Sequence, residues 1–511
     1  MKSKGKVLSL LMALAIAASM FAACGDKGGD QGTTGTDTGS TGGDKPKEVV
    51  TLKWWHWGDP PKNGDAVIEA LNKKSAEDIG VKIDFIWATG DDAKLKTALS
   101  TGADDDIAFT CSWFANYLNT AQKGQLYDIT DMLNDHPKLM EYIPEWVWES
   151  AKVKGKVYAV PTYKDVAGTN YWYCNKEYVF DQAGAEEEFM APGDRNSVKT
   201  PLMKKLYDYM KDGHPYPHDL TAPYTYNFQG PRSPSVGDVS TGIDAPLTIA
   251  EGDETYTLVF SPTTPNYIAD IKTLCEWYQA GYCNQDCLQL QKEPEFCIIN
   301  QAQGWEGAEK SVWGLGKDYT VAICQRGKTI ASPTGALGSM QGIFANSKHP
   351  KEALDFIEYM NLDEGYRNML AYGVEGVNWE DNGDGTVTTL NSDWQPGVFS
   401  QGTFFTLKPA APAPADMYTK LKTQMDNAET SELLGFSPDY EKCKNELAAV
   451  SSAYEKYKYE IACGTMKDPE AYIAKVEKEL NQIGLEVIKK EMQAQIDAHL
   501  KAKGINVPER S

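Results

Sequence analysis

The stretch from Val49 to Gly124 constrains the fold most, because two hydrophobic periods alternate along it. Residues 49–57 read as a β-branched and aromatic strand, and Val81, Ile83, Phe85 and Trp87 alternate with Lys82 and Asp84 as a second. Between them Val67, Ala70, Leu71 and Lys74 recur at helical spacing over residues 66–74, behind Asp65 as a capping residue. A second helix over residues 92–99 leads to a third strand, Ile107–Thr110, and a third helix starts at Asn116 and stops at Gly124. Strands joined by helical crossovers pair in parallel. The expected fold class is therefore α/β, an open, mostly parallel sheet with helices on both faces, and in such sheets ligands sit beyond the carboxyl ends of the strands.

Ahead of this body, Lys2, Lys4 and Lys6 precede an uncharged run of apolar and small residues, 7–23, so residues 1–23 read as a signal peptide. The run is short for a spanning helix, and no basic flank follows it. Phe21-Ala22-Ala23-Cys24 resembles the lipobox of bacterial lipoproteins. That resemblance implies lipid on Cys24 and a location at the outer face of a cell membrane of the Gram-positive type, held by the lipid anchor only. Residues 24–48 are almost wholly Gly, Thr, Asp, Ser, Lys and Gln, too poor in apolar surface to order themselves. They form a tether reaching about 25–30 Å. About 460 residues remain beyond it, a length that divides naturally into two lobes.

Asp and Glu outnumber Lys and Arg 72 to 50, and the net charge of −22 opposes binding to a polyphosphate, which argues against nucleic acid as a partner. Nine cysteines follow Cys24: Cys111, Cys174, Cys275, Cys283, Cys287, Cys297, Cys324, Cys443 and Cys463. An odd count without a C-x-x-C pair argues against a complete disulfide framework and against a zinc ribbon. The dense group Cys275, Cys283, Cys287 and Cys297 leaves one disulfide or a metal open beside the plainer reading of buried free thiols.

Chemistry-bearing residues gather where strands end. The first strand runs out at Trp55-His56-Trp57, and Trp113 follows the third; Trp54 and Trp87, inside strands, read as core. A short strand closed by Pro161 precedes Tyr163 and Lys164, a placement that suits a crossing between lobes. A polar stretch over residues 181–254 separates this part from a firm helix. In that helix Pro265 occupies the first turn, Ile268, Ile271, Cys275 and Tyr278 line one face, and Gly281 is the stop. In Gln303-Gly304-Trp305-Glu306-Gly307, glycines flank a ring and a carboxylate and let a ligand approach the backbone. The last hundred residues are helical, with stripes Val476, Leu480, Ile483 and Leu485, Ile488, Met492, Ile496 on either side of Gly484.

With these segments in place, the chain resembles the lipid-anchored extracellular solute-binding proteins of ABC importers, in their carbohydrate-binding branch. The resemblance rests on the lipobox, on Leu52 to Gly58, on Val153-Lys154-Gly155-Lys156-Val157-Tyr158-Ala159-Val160-Pro161, and on Gly342-Ile343-Phe344-Ala345-Asn346-Ser347 leading into Pro350-Lys351-Glu352-Ala353-Leu354. Residues 372–379 and Leu434-Gly435-Phe436 are similar to a larger subgroup that ends in a long helical region. It implies two α/β lobes with a hinge between them, ligand trapped as they close, a membrane permease as partner with the ATPase on a separate chain, no cofactor, and a monomer. Lobe one would hold residues 49–161 and about 338–376; lobe two would hold about 162–337 and 377–504. Sugars need aromatic faces for their C–H surfaces and donors and acceptors for their hydroxyls. The candidate ligand contacts are Trp55, His56, Trp57, Trp113, Tyr163, Lys164, Trp305, Glu306 and Trp379.

Rival readings are a binder of peptides or other solutes on the same fold and a secreted glycoside hydrolase, for which Glu306 and Glu375 are the nominal carboxylates. His214 and His218 stand four apart, but Pro215 and Pro217 forbid the helix that zinc-protease spacing needs, so an exposed turn is expected with a loop metal site as the alternative. Residues 381–385 lack the acidic register of a calcium loop and read as a hairpin turn.

Overall fold

The protein is described by a computed structural model over residues 49–88, 90, 92–226, 236–290, 294–314 and 316–510. The signal peptide, Cys24 and the tether lie outside the described residues. Two main sheets are built from β1 (Val50–Trp57), β2 (Val81–Ala88), β3 (Ile107–Thr110), β4 (Ala159–Pro161), β5 (Ala167–Asn175), β6 (Ile299–Gln303), β7 (Val321–Ala331), β8 (Met340–Ile343) and β9 (Glu429–Thr430).

The first sheet has the order β2-β1-β3-β8-β4. β1 pairs in parallel with β2, from Val50 opposite Val81 to Trp57 opposite Ala88, and with β3. Helices Asp65–Ile79 and Ala93–Thr101 make the intervening crossovers, as the periodicity predicts. β8, which arrives from far along the chain, enters antiparallel between β3 and β4.

The second sheet, β6-β5-β7-β9, departs from the expected strand direction. β5 is antiparallel to both neighbours, and only the short β9 runs parallel, to β7. Antiparallel neighbours need no crossover helix, so the strand–helix alternation that betrayed the first sheet has no counterpart here. The two-lobed α/β architecture is nonetheless the expected one. The chain passes between the sheets at residues 162–166, 332–339 and 427–428.

Packing differs from expectation in two places. Residues 379–426, assigned from sequence to the second lobe, pack on the first: Trp394, Phe404, Leu407 and Leu421 share a core with Leu52, Trp54 and Phe356. The Trp394 indole N–H donates to Leu370 O at 2.9 Å. The polar stretch 181–254 is more than a separator, because Phe189, Leu202, Met203, Leu206, Tyr224 and Ile249 from it are buried in the second core. Its apolar residues are few but share faces; Leu202, Met203 and Leu206 line one side of helix Thr200–Lys211.

The C-terminal helices pack into the same core, where Ile473, Val476, Leu480, Ile488, Met492 and Ile496 meet Ile271, Leu274 and Trp277 of helix Pro265–Ala280. Ile483, expected in the first stripe, is exposed. Gly484 between the last two helices has φ +136°, and a Cβ there would lie 2.7 Å from the Glu446 side chain, so glycine is required.

Candidate functional site

Strand alternation decides which residues at the end of β1 reach solvent. Leu52, Trp54 and His56 point into the first core and are fully buried, whereas Trp55 and Trp57 pack half-buried on the opposite face of the strand. The Trp55 indole N–H donates to Asp105 Oδ2 at 2.8 Å. Trp57 meets Phe399 at 4.8 Å and, edge to face, Trp113 at 5.9 Å between ring centroids.

Trp113 is 53% exposed, unusual for so large an apolar side chain. Its turn is tightly determined. Ala115, with φ +40°, sits in left-handed backbone that costs a non-glycine residue on the order of 1 kcal/mol or more. The surroundings hold it there: Ala115 N–H donates to Asp92 Oδ2, and its carbonyl accepts from the Thr110 and Thr120 hydroxyls. The Trp113 N–H donates to Gly338 O at 3.0 Å, which ties the ring to the crossing at 332–339. Trp57, Trp113 and Phe399 thus form a fixed aromatic platform at the carboxyl ends of β1 and β3.

Next to Trp113 in the chain, Ser112 lines a cavity of about 290 Å³ formed from both lobes, with Asn116 and Leu118 on its side and Ser240, Thr241 and Asp244 on the other. A second cavity, of about 590 Å³, shares Ser240, Thr248, Ser261 and Thr334 with it and reaches Asn170, Gln303 and Ser431. The walls are dense in hydroxyls and amides. Across the cleft Asn119 Nδ2 donates to Asp244 Oδ2 at 3.0 Å, Gln122 Nε2 donates to Pro438 O at 2.6 Å, and Lys154 pairs with Asp439 at 2.9 Å. Burial pushes the Asp244 carboxyl above its ordinary value, against the lowering effect of the Asn119 bond.

The other sequence candidates have different roles. Lys164 ion-pairs with Asp165, whose carboxylate also accepts from Gln303 Nε2 at 3.3 Å, so this pair sits at the crossing beside the larger cavity. Tyr163 is buried against Phe405 at 4.6 Å, and its carbonyl accepts from Phe404 N–H and Thr403 Oγ1; it is a packing residue of the crossing. Trp305 is buried 5.6 Å from Phe404, with its indole N–H lacking a protein partner. The glycines beside it serve packing: Cβ atoms at Gly304 and Gly307 would strike Trp313 and Met417 at 2.6 Å each. Glu306 is exposed and pairs with Lys420 at 3.1 Å. Trp379 is buried in a small hairpin, its N–H donating to Gly373 O at 2.8 Å. His56 and Trp379, fully and almost fully buried, are therefore structural residues in this conformation.

His56 carries a testable consequence. Burial drives its pKa from 6.5 to about 3, and nearby Arg367 adds to the lowering, so the folded protein holds it neutral. The unfolded chain takes up the proton first; stability is full above pH 6.5 and falls as pH drops from there toward 3. At pH 5.5 the loss is about 1 kcal/mol relative to pH 7. Urea melts at the two pH values are expected to show it, and His56→Phe is expected to remove that increment.

The cleft residues 236–248, Phe399 and Asn119 escaped sequence reading. The first carry a signal, a Ser/Thr/Asp-rich run with Gly237 and Gly242 inside a longer polar stretch; Phe399 and Asn119 carry none. His214 and His218 stack on different partners, Tyr209 at 4.0 Å and Phe296 at 3.8 Å, and so do not converge on one point. Residues 381–385 form the turn of the hairpin Trp379–Asp381 with Val387–Thr389, as expected.

Two α/β lobes around a polar cleft define a solute-binding architecture, and the comparisons with known proteins agree. Residues 66–376 match the family of bacterial extracellular solute-binding proteins, and the chain belongs to that family. Residues 432–501 match a domain of unknown function. A carbohydrate ABC transporter substrate-binding protein of Streptococcus pneumoniae is 26% identical over 514 residues, covering 96% of this chain and 97% of the relative. Among solved structures, the N-glycan transport solute binding protein of Streptococcus pneumoniae in complex with Man5GlcNAc has a TM-score of 0.76 at 23% identity, covering 89% of this chain and 99% of that one. The FusA substrate binding protein of the same organism, in complex with kestose, has a TM-score of 0.56 at 15% identity, covering 88% and 100%.

Proposed function

We propose that the protein is the extracellular capture component of an ABC importer, that it takes up a carbohydrate, and that the ligand is an oligosaccharide held between its lobes and handed to a membrane permease. The carrying observation is the exposed Trp113, packed with Trp57 and Phe399 at the carboxyl ends of β1 and β3, together with the hydroxyl- and amide-lined cavities between the lobes. Such a platform offers faces to sugar C–H surfaces, and the walls offer partners to sugar hydroxyls. The larger of these two cavities, about 590 Å³, lies within the range typical of sites for small molecules. The similarity to a carbohydrate ABC transporter substrate-binding protein and to an N-glycan transport solute binding protein supports the same reading.

The protein acts as a monomer, lipidated at Cys24 and tethered at the outer face of the cell membrane. Among the described residues no helix is long and apolar enough to cross a membrane. Calorimetry with panels of neutral oligosaccharides and of peptides tests the ligand class: heat with sugars is expected, and heat only with peptides refutes it. New reducing ends on incubation with oligosaccharides would instead establish hydrolysis. Glu306 and Glu375, the nominal carboxylates for that chemistry, are both exposed, and Glu306 is already paired with Lys420. Cys24→Ser is expected to release the protein from the membrane fraction.

Asn119 donates to Asp244 across the cleft, so it favours the closed arrangement. Asn119→Ala is expected to weaken ligand binding by about 1 kcal/mol, a several-fold rise in Kd. Small-angle scattering of the liganded variant should show a larger radius of gyration than wild type at equal ligand concentration.

A further inference from the structure

The nine cysteines after Cys24 are buried, and among the described residues no three His, Cys, Asp or Glu side chains are arranged to hold a metal ion. Residues 432–501, which match a domain of unknown function, build something else: a loop and the helix that grips it. Along helix Leu485–Ala502 and its cap, Glu491, Gln495, His499 and Lys503 recur every fourth residue and so share one face. That face meets the segment 432–442. Lys503 Nζ donates to Glu432 O and Leu434 O at 2.9 Å each, and the His499 ring packs edge to face on Phe436 at 5.6 Å. Gln495 exchanges two hydrogen bonds of 2.8 Å with the backbone of Asp439, accepting from its N–H and donating to its carbonyl. Glu491 accepts from Gln495 Nε2 at 2.9 Å and pairs with Lys442 at 3.3 Å.

The segment held this way faces the first lobe. Asn116, Asn119 and Gln122 stand three apart on one side of helix Tyr117–Gln122 and its cap; Asn116 lines the smaller cavity, Asn119 donates to Asp244, and Gln122 donates to Pro438 O at 2.6 Å. The Tyr440 hydroxyl accepts from Asp244 N–H at 2.7 Å, so the segment also fixes the residue that Asn119 reaches. Lys154 pairs with Asp439 at 2.9 Å and lies 4.0 Å from Glu441. It stands at the tip of the hairpin Lys152–Val153 with Lys156–Val157, in a two-residue turn with Gly155. Both turn residues have positive φ, +52° and +81°, a backbone that glycine adopts freely and lysine only under strain. The strained turn sets an ammonium opposite two carboxylates of the other lobe.

We propose that residues 432–501 are an interlobe clasp: the last helix presents the loop 432–442 to the first lobe, where Pro438 and Asp439 engage Gln122 and Lys154 and favour the closed arrangement. This role presupposes lobes that close about a hinge and is independent of the class of ligand. Glu432, at the start of the same loop, lines the larger cavity beside Ser431, so the clasp and the cavity wall are one continuous piece of chain. The Lys154–Asp439 pair is solvent-exposed and weak by itself, and its contribution comes from position. Gln495 fixes Asp439 before the lobes meet, so little conformational freedom is lost when the pair forms.

Small-angle scattering of the ligand-free protein, freed of its anchor by Cys24→Ser and checked by thermal melts, tests the clasp. Lys154→Gly deletes the ammonium and relieves the turn; its Tm should hold or rise while its radius of gyration increases. Lys154→Glu should open the chain further, and Lys154→Glu/Asp439→Lys should return the radius to the wild-type value, because Gln495 grips backbone and its bonds survive the swap. Gln495→Met should also raise the radius and, with Asp439 released, should shrink the additional effect of Lys154→Glu severalfold. A wild-type radius recorded for both Lys154→Gly and Lys154→Glu, or a swap variant as open as Lys154→Glu, would overturn the clasp. Asn119→Ala under the same conditions separates the two ways of failing. If it alone opens, the hinge stands and residues 432–501 have no part in closing it; if no variant opens, the hinge falls with the clasp.

Discussion

Trp113→Ala is expected to weaken oligosaccharide binding by about 2–3 kcal/mol, roughly a fifty-fold rise in Kd, while the Tm stays within a degree or two of wild type. The asymmetry follows from exposure. With 53% of its surface in water, the ring contributes little apolar burial to folding and has most of that area left to bury against a ligand. Its N–H bond to Gly338 O and the strained Ala115 turn hold it in place before ligand arrives, so little conformational entropy is lost on binding. Trp305→Ala should give the opposite result, a stability loss of about 3–5 kcal/mol from an emptied core site with affinity falling only as folded protein is lost. Glu306→Ala should change neither quantity measurably, because an exposed pair with Lys420 is worth at most about 1 kcal/mol. Isothermal titration and thermal melts on the three variants separate the platform from the core. An unchanged Kd for Trp113→Ala would remove the aromatic platform from the site.

How much of this was legible in the sequence depended on whether local period carried the information. The first three strands and their crossover helices were readable because alternation and helical spacing are local, and the crossovers force parallel pairing. The same period-two rule separates His56 from Trp57: with Trp54 taken as core, His56 two residues on must point the same way and Trp57 the other. Nominating all three of Trp55, His56 and Trp57 passed over that constraint. The glycines around Trp305 signalled close approach correctly, but the approaching atoms belong to Trp313 and Met417. No local pattern announces that residues 379–426 return to the first lobe, where they meet Leu52 and Trp54, or that Phe399 lands on Trp57, since these contacts join residues more than 300 apart in sequence.

Among the side chains that hold that return is Arg367, and its loss is expected to be severe. The guanidinium is fully buried and donates to four acceptors on the 398–403 segment: Thr403 O at 2.9 Å, Gln401 Oε1 at 2.7 Å, Val398 O at 3.0 Å and Gly402 O at 3.1 Å. Burial lowers its pKa to about 10, yet it stays protonated at neutral pH, so carbonyl dipoles offset the desolvation of a whole charge. Arg367→Met keeps much of the volume but strands these acceptors. At about 1–3 kcal/mol for each group left unsatisfied and unreached by water, a net loss on the order of 3 kcal/mol or more is expected in urea melts. Arg367→Lys should recover only part, because three donors on a point charge cannot serve four acceptors spread in a plane. The functional consequence is separable from stability. Ser400 Oγ, in the clamped segment, donates to Trp57 O at 3.0 Å, and Phe399 beside it packs on Trp57 and Trp113. A loosened segment therefore lets the platform move, and Kd should rise in Arg367→Lys even at temperatures where the variant is fully folded. If affinity in that variant matches wild type, Phe399 is a packing residue of the first lobe and the binding surface is Trp57 and Trp113 alone.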